Sequence, residues 1–261
     1  MIRHLLQLIW NQRKQNAWLW AELLLVSVFL WFLVDYLYVM GRTYTAPLGF
    51  DIRHTYSIVI SSLSERSPDY IPKEKRERPD GVHLLTALDR IRTYPGVESA
   101  CLTDGGMPYY MGSRNLVWRI DTLQVPCRYA FVTPEFFDVF RIYDKDGKTA
   151  SLKRAIEDNN SIVISADVET MNPGLSLLGQ KAYRGNVTDE IEETIRGISV
   201  PIRRHEYTKA EPNVYRALRL SRMEEGYYEG MIDAVRLCVR VRPDVDNADF
   251  PARFRKDMAE Q

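Results

Sequence analysis

With 35 Lys or Arg and 35 Asp or Glu among 261 residues, the chain is electrically balanced, which excludes the strongly basic footprint of a nucleic-acid binder. Its length suffices for one domain or for two small lobes with cores of their own. Three cysteines, Cys101, Cys127 and Cys238, lie too far apart for a zinc or redox motif; three separately buried thiols are expected, although one pair could bridge in an oxidising compartment.

Residues 1–16 place Ile2, Leu5, Leu6 and Ile9 on one helical face, with Trp10 beside them and Arg3, Arg13 and Lys14 elsewhere. That pattern predicts a short amphipathic helix lying on the cytoplasmic leaflet. Ala17 to Met40 follows as an almost wholly apolar run without Pro or Gly. As a helix it would extend roughly 36 Å against a hydrocarbon core of about 30 Å, so a transmembrane helix is predicted over 17–40. Glu22 and Asp35, its only charges, are membrane-embedded acids within two turns of the ends, where a charge costs less than at the midplane. A cleaved signal peptide is disfavoured, because the run is too long and no small-x-small site follows it. Basic residues precede the run, whereas Arg42 is alone after it until Arg53. The N-terminus is therefore expected in the cytoplasm and residues 41–261 outside the inner membrane.

Gly41 and Pro47-Leu48-Gly49 are expected to break the helix. The β-branched run Tyr56 to Ile60 predicts a strand, Ser64 to Gly81 a solvated loop, and Val82 to Thr93 an amphipathic helix stopped by Pro95-Gly96. Val97 to Thr103 alternates as a strand, giving the outline of a split βαβ lobe. After the turn Asp104 to Pro108, the soft and aromatic residues Met107, Tyr109, Tyr110 and Met111 form a candidate partner-contact loop; tucking beneath the loop is the equal alternative. Further strands are predicted at Asn115 to Asp121, Val125 to Val132, Ser161 to Ser165, Thr194 to Val200, Asn213 to Tyr215, Ala217 to Leu220 and Val235 to Val241. Short helices are predicted after Thr133-Pro134 and Ala166, and a terminal helix carries Phe250, Phe254 and Met258 on one face.

Several motifs fail on inspection. Asp144, Asp146 and Gly147 lack the remaining ligands of a calcium loop. In Gly174 to Ala182 the Lys comes one place late for a phosphate loop, and Ala182 stands where Ser or Thr would hold magnesium. Neither G-x-S-x-G nor H-E-x-x-H occurs, and the four histidines His4, His54, His83 and His205 are scattered. No catalytic, cofactor or metal residue is therefore assigned, and the chain is not expected to be an enzyme.

The order of these pieces resembles the MacB-type and FtsX-like permeases of ABC transporters: a basic N-terminus and one span, then Tyr94-Pro-Gly-Val-Glu98, Phe131 to Phe140, Ser161 to Ser165 with Leu178 to Lys181, and Cys238 to Arg242. The resemblance implies an α+β fold, with the transmembrane helix followed by a two-lobed extracytoplasmic domain. Residues 43–142 and 232–261 would form a βαβ-containing lobe, and residues 143–231 an inserted β-rich lobe. It further implies a fragment of a longer permease in the bacterial inner membrane, acting as a homodimer or heterodimer with a cytoplasmic ABC ATPase. A periplasmic adaptor or outer-membrane component would be a further partner. On this reading the domain couples ATP-driven helix motion to substrate export or release, or to partner regulation. The alternative is a membrane-tethered sensor or ligand-binding module, which would show an enclosed pocket with convergent polar groups.

Overall fold

The structure, a computed structural model, describes residues 3, 7, 10, 14, 17–60, 63–68, 70–72, 75–110, 112, 114–185, 190–226 and 232–259. The amphipathic helix expected over 1–16 lies almost wholly outside the described residues. Two units are present, residues 1–47 with 206–208, and residues 48–205 with 209–261.

The first unit is dominated by helix α1 (Ala17–Thr45), 29 residues with no buried side chain, long and apolar enough to cross a membrane. It runs past Gly41, where the sequence predicted a break. A glycine inside a helix costs only about 1 kcal/mol relative to alanine, and the Thr45 hydroxyl donates back to the Gly41 carbonyl at 3.0 Å. What ends the helix is Pro47, which disfavours helical geometry at the residue before it. In the same unit the Tyr207 ring lies 5.7 Å from that of Tyr44.

The second unit is mixed α/β. Strand β1 (Thr55–Ile58) is followed by helix α2 (Asp80–Arg92), strands β2 (Val97–Asp104), β3 (Asn115–Ile120) and β4 (Leu123–Val132), then short helices α3 (Phe136–Val139) and α4 (Ala150–Ala155). Next come β5 (Ser161–Ser165), α5 (Asp167–Met171), β6 (Lys181–Arg184), β7 (Ile191–Ser199), β8 (Asn213–Ala217), α6 (Leu220–Glu224), β9 (Val235–Val241) and α7 (Phe250–Ala259). The strand expected at Ala217 to Leu220 is replaced by α6. There Leu220 and Met223, three apart, turn onto the face of α2, where a Cβ on Gly81 would lie 2.3 Å from the Met223 carbonyl oxygen.

Strands β1, β9, β2 and β4 are neighbours in that order and form an open sheet. From β4 the pairing continues through β3, β6, β7, β5 and β8, and β8 returns in parallel to β4, with Arg128 opposite Asn213 and Val132 opposite Ala217. Among the described residues the ring is therefore closed. Strand β4 serves both parts because it is ten residues long: its first half pairs β3, and on its last residues Phe131 and Val132 meet Asp104 and Thr103 of β2. The boundary expected at residue 142 does not follow this pairing, since β3 and β4 belong to the ring.

Three buried clusters follow from the layers. Leu84, Leu88 and Ile91 of α2 cover Leu102, Leu237 and Val239 on one face of the open sheet, joined by Phe250 of α7. On the opposite face Cys101 and Cys238 meet Phe136, Phe137 and Phe140. Trp118, Ile120, Ile162 and Ile195 fill the third cluster, within the ring strands. The second cluster should be the least tolerant, because the Phe136 ring is fully buried and packs 4.9 Å from Phe140 and 5.5 Å from Tyr215. Phe136→Ala is expected to cost about 4 kcal/mol, from lost transfer energy and an unfilled cavity; urea unfolding of the variant checks this.

Candidate functional site

The alternation of Val235 to Val241 suggests a strand with one polar face, yet β9 lies between β1 and β2 and is buried on both faces. Its Val and Leu side chains meet α2 and α7. Arg240, on the other face, is 1 % exposed. Its guanidinium is spent on backbone: Nε donates to the Val139 carbonyl at 2.6 Å, one Nη to Arg53 at 2.8 Å and the other to the Asp51 carbonyl. Val139 closes α3, where carbonyls lack helical partners and attract a cation. Burial lowers the Arg240 pKa, and nearby Asp51 opposes that shift.

Arg240 thereby grips the segment through which the chain enters the second unit. Each residue of that segment is held by something different. The Leu48 carbonyl accepts from the Arg203 amide at 3.0 Å. Gly49, at φ +83°, lies so close to Pro201 that a Cβ would sit 2.1 Å from its carbonyl oxygen. Phe50 packs on the phenylalanine cluster and meets the Tyr109 ring edge-on at 5.8 Å. The Asp51 amide donates to the Phe140 carbonyl at 2.8 Å. The Asp51 carboxylate accepts from the Arg53 amide at 2.8 Å and from its guanidinium at 2.9 Å, hydrogen bonds that hold its pKa at about 2.

His54 follows at φ +58°, its Nδ1 lying 2.5 Å from Asp246 Oδ2, and its carbonyl accepts from the Val241 amide at 2.8 Å. The Tyr56 hydroxyl donates to the other Asp246 oxygen, which pushes the phenol up to about 12 and holds the Asp246 carboxyl below the usual range. The arrangement suits holding the entry segment in place. It contains no activated nucleophile.

The candidate contact loop divides. Met107 packs against the phenylalanine cluster. Tyr110 lies over Gly112, where a Cβ would be 2.5 Å from the ring. Tyr109 is 39 % exposed at φ +60°, and its amide donates to the Arg204 carbonyl at 3.3 Å; Met111 lies outside the described residues. Glu22 and Asp35 are both exposed on α1, thirteen positions and hence roughly 20 Å apart along its axis, so they form no joint site. Cys101 and Cys238 face each other across β2 and β9, Cys127 lies on β4, and all three are free and buried. Burial raises the pKa of Cys101 and pushes Cys127 up to about 12. Among the described residues no three His, Cys, Asp or Glu side chains converge as a metal requires.

Sequence reading missed Arg240. The available signal was Cys238 two residues before it, on the supposedly wet face: cysteine prefers the interior, which marks that face as covered.

No family model matches the sequence, and no curated protein does. Solved structures do. The chain is similar to the periplasmic region of MacB from Actinobacillus actinomycetemcomitans, at 10 % identity over 84 % of this chain and 86 % of that one, with a TM-score of 0.45. It is similar to a domain of a protein assigned as a permease from Porphyromonas gingivalis, at 19 % identity over 67 % and 68 %, TM-score 0.47. A third is the extracellular domain of the noncanonic ABC-type transporter YknZ from Gram-positive bacteria, at 12 % identity over 75 % and 85 %, TM-score 0.43.

Two outcomes are expected of the grip. Arg240→Met leaves three carbonyls without their donor and should cost about 3 kcal/mol in urea unfolding. Arg240→Lys should recover less than half, since an ammonium has no fork to reach all three. Asp51 contributes to the acid limb: its pKa is depressed from 3.8 to about 2 on folding, so its contribution is present above the unfolded value and is lost as pH falls through that interval. Asp51→Asn should flatten the fall in stability below pH 4, measured by denaturant unfolding across the range.

Proposed function

We propose that residues 48–259 are the extracytoplasmic domain of an ABC-type permease subunit, tethered to the inner membrane by α1. A cytoplasmic ATPase would drive the spans, and the domain would respond as a lever that releases or exports a substrate or regulates a partner. The observation that carries this reading is the grip on residues 48–56. A lever is useful only if the joint does not yield, and here the joint is stitched by backbone hydrogen bonds, a buried guanidinium and a glycine pressed against Pro201. Each such bond contributes a net of about 1 kcal/mol, so several in succession resist local opening.

The sequence supports the same reading with its apolar run, its basic N-terminal flank and the ordered motifs resembling MacB-type and FtsX-like permeases. Within it, Tyr109 is the side chain of the candidate loop best presented to a second permease copy or an adaptor, being exposed while Met107 tucks inward.

Thiol labelling tests the topology, because the native cysteines are buried and leave an introduced one as the reporter. Lys145→Cys should react with a membrane-impermeant maleimide on spheroplasts, and Arg3→Cys only after permeabilisation; the reverse pattern rules the reading out. For coupling, four glycines inserted between Pro47 and Leu48 should leave the melting of the domain unchanged while abolishing any ATP-dependent change in labelling at residue 145 in native membranes. An ATP response that survives the insertion, or is absent from the parent protein, defeats the lever.

A further inference from the structure

Where the open sheet meets the ring, the fold forms a partly open cleft of about 540 Å³ whose charged wall is lopsided. Arg184 reaches it from β6 and Arg216 from β8, Arg114 from the turn before β3, and Arg219 and Arg222 from the start of α6. Among the described residues one carboxylate, Asp104, shares this wall, with Glu193 buried nearby; Arg222 has an interaction of its own, which leaves Arg114, Arg184, Arg216 and Arg219 as the cluster facing these two acids.

Both carboxylates are already committed. Asp104 Oδ2 lies 2.9 Å from an Arg114 Nη. Glu193, 1 % exposed, takes Arg216 at 2.6 Å and Arg184 at 3.3 Å on one oxygen and accepts from Trp118 Nε1 at 3.2 Å on the other. Arg216 is further fixed by lying 5.0 Å over the Phe131 ring. Burial lowers its pKa, Glu193 opposes that shift, and the proximity of Arg184 and Arg219 adds to it. Among the described residues, Arg114, Arg184, Arg216 and Arg219 thus meet two carboxylates, so the cleft keeps a formal excess of positive charge even without Arg222.

We propose that this cleft binds a phosphoryl group, carried by a small phosphate ester or by a lipid headgroup. The volume falls in the range of small-ligand sites, roughly 300 to 1,000 Å³. Guanidinium forks match phosphate oxygens two at a time. A phosphate of charge near −2 offsets most of the surplus, whereas a single carboxylate offsets only one unit. The Asn159 amide adds a neutral polar group to the wall, and Ile191 an apolar one. The site is separate from the grip on residues 48–56 and does not depend on the permease reading.

Isothermal titration of the purified full chain in detergent tests the proposal, with inorganic pyrophosphate and dioctanoyl phosphatidic acid as probes and sodium chloride of matched ionic strength as reference. Saturable binding of at least one phosphate probe is expected; pyrophosphate alone identifies a soluble ester, and the lipid alone a headgroup. Arg219→Gln should weaken binding at least fivefold and Arg219→Lys less than twofold. If Arg219→Gln lowers the melting temperature without ligand, the parent protein decides by its salt dependence: affinity should fall at least tenfold between 50 and 200 mM sodium chloride. Absence of saturable binding to either probe, equal affinity of a folded Arg219→Gln and the parent, or salt-insensitive binding overturns the site. The titration contains no ATPase, so such a failure leaves the lever reading standing.

Discussion

A single buried guanidinium organises the entry to this domain. Taking a cation out of water costs several kcal/mol unless its donors find partners, and Arg240 places one donor of each guanidinium nitrogen on a backbone carbonyl rather than on a carboxylate. Those carbonyls come from the entry segment and from the end of α3, two stretches almost ninety residues apart in the chain, and the cation itself sits on β9. Three elements are thereby tied together by a group that cannot be deprotonated under ordinary conditions. The phenylalanines of α3 pack under Cys101 and Cys238 because Arg240 holds the end of that short helix, which is too brief to stand by itself.

The long strand β4 plays the corresponding part on the other side of the molecule. Its two halves answer to different neighbours, β3 first and β2 last, while β8 runs along its opposite edge. A ring and a sheet joined through one continuous strand have no linker at which to bend. The cleft lined by arginines lies at this junction, and Asp104, Phe131, Arg184 and Arg216 reach its wall from strands.

Much of this was legible in the sequence, and where it was not the reasons are physical. The apolar run, the amphipathic helix from residue 82 and the alternating strands each carry a local signal, period 3.6 or 2, that tertiary context did not override. The end of α1 was misplaced because glycine weakens a helix without stopping it, whereas Pro47 stops it by sterics. β6 was not anticipated: Lys181 to Arg184 is short and mostly polar, and it becomes a strand through pairing with β3 and β7. The closure of the ring was equally hidden, because parallel pairing of β8 with β4 leaves no mark on either stretch alone. For the candidate contact loop the sequence left projection and tucking open, because the choice depends on the phenylalanine cluster against which Met107 packs.

One consequence of the pairing between β1 and β9 concerns the order of events during synthesis. Thr55 to Ile58 find their hydrogen-bonding neighbours in Leu237 to Arg240, and among the described residues β1 has no other strand beside it. The stretch that opens the second unit must therefore remain unpaired until some 180 further residues have been made, a long loop to close and a slow contact to form. A chain interrupted ahead of residue 235 would carry a raw strand edge, the kind of surface that quality-control proteases and holding chaperones seize.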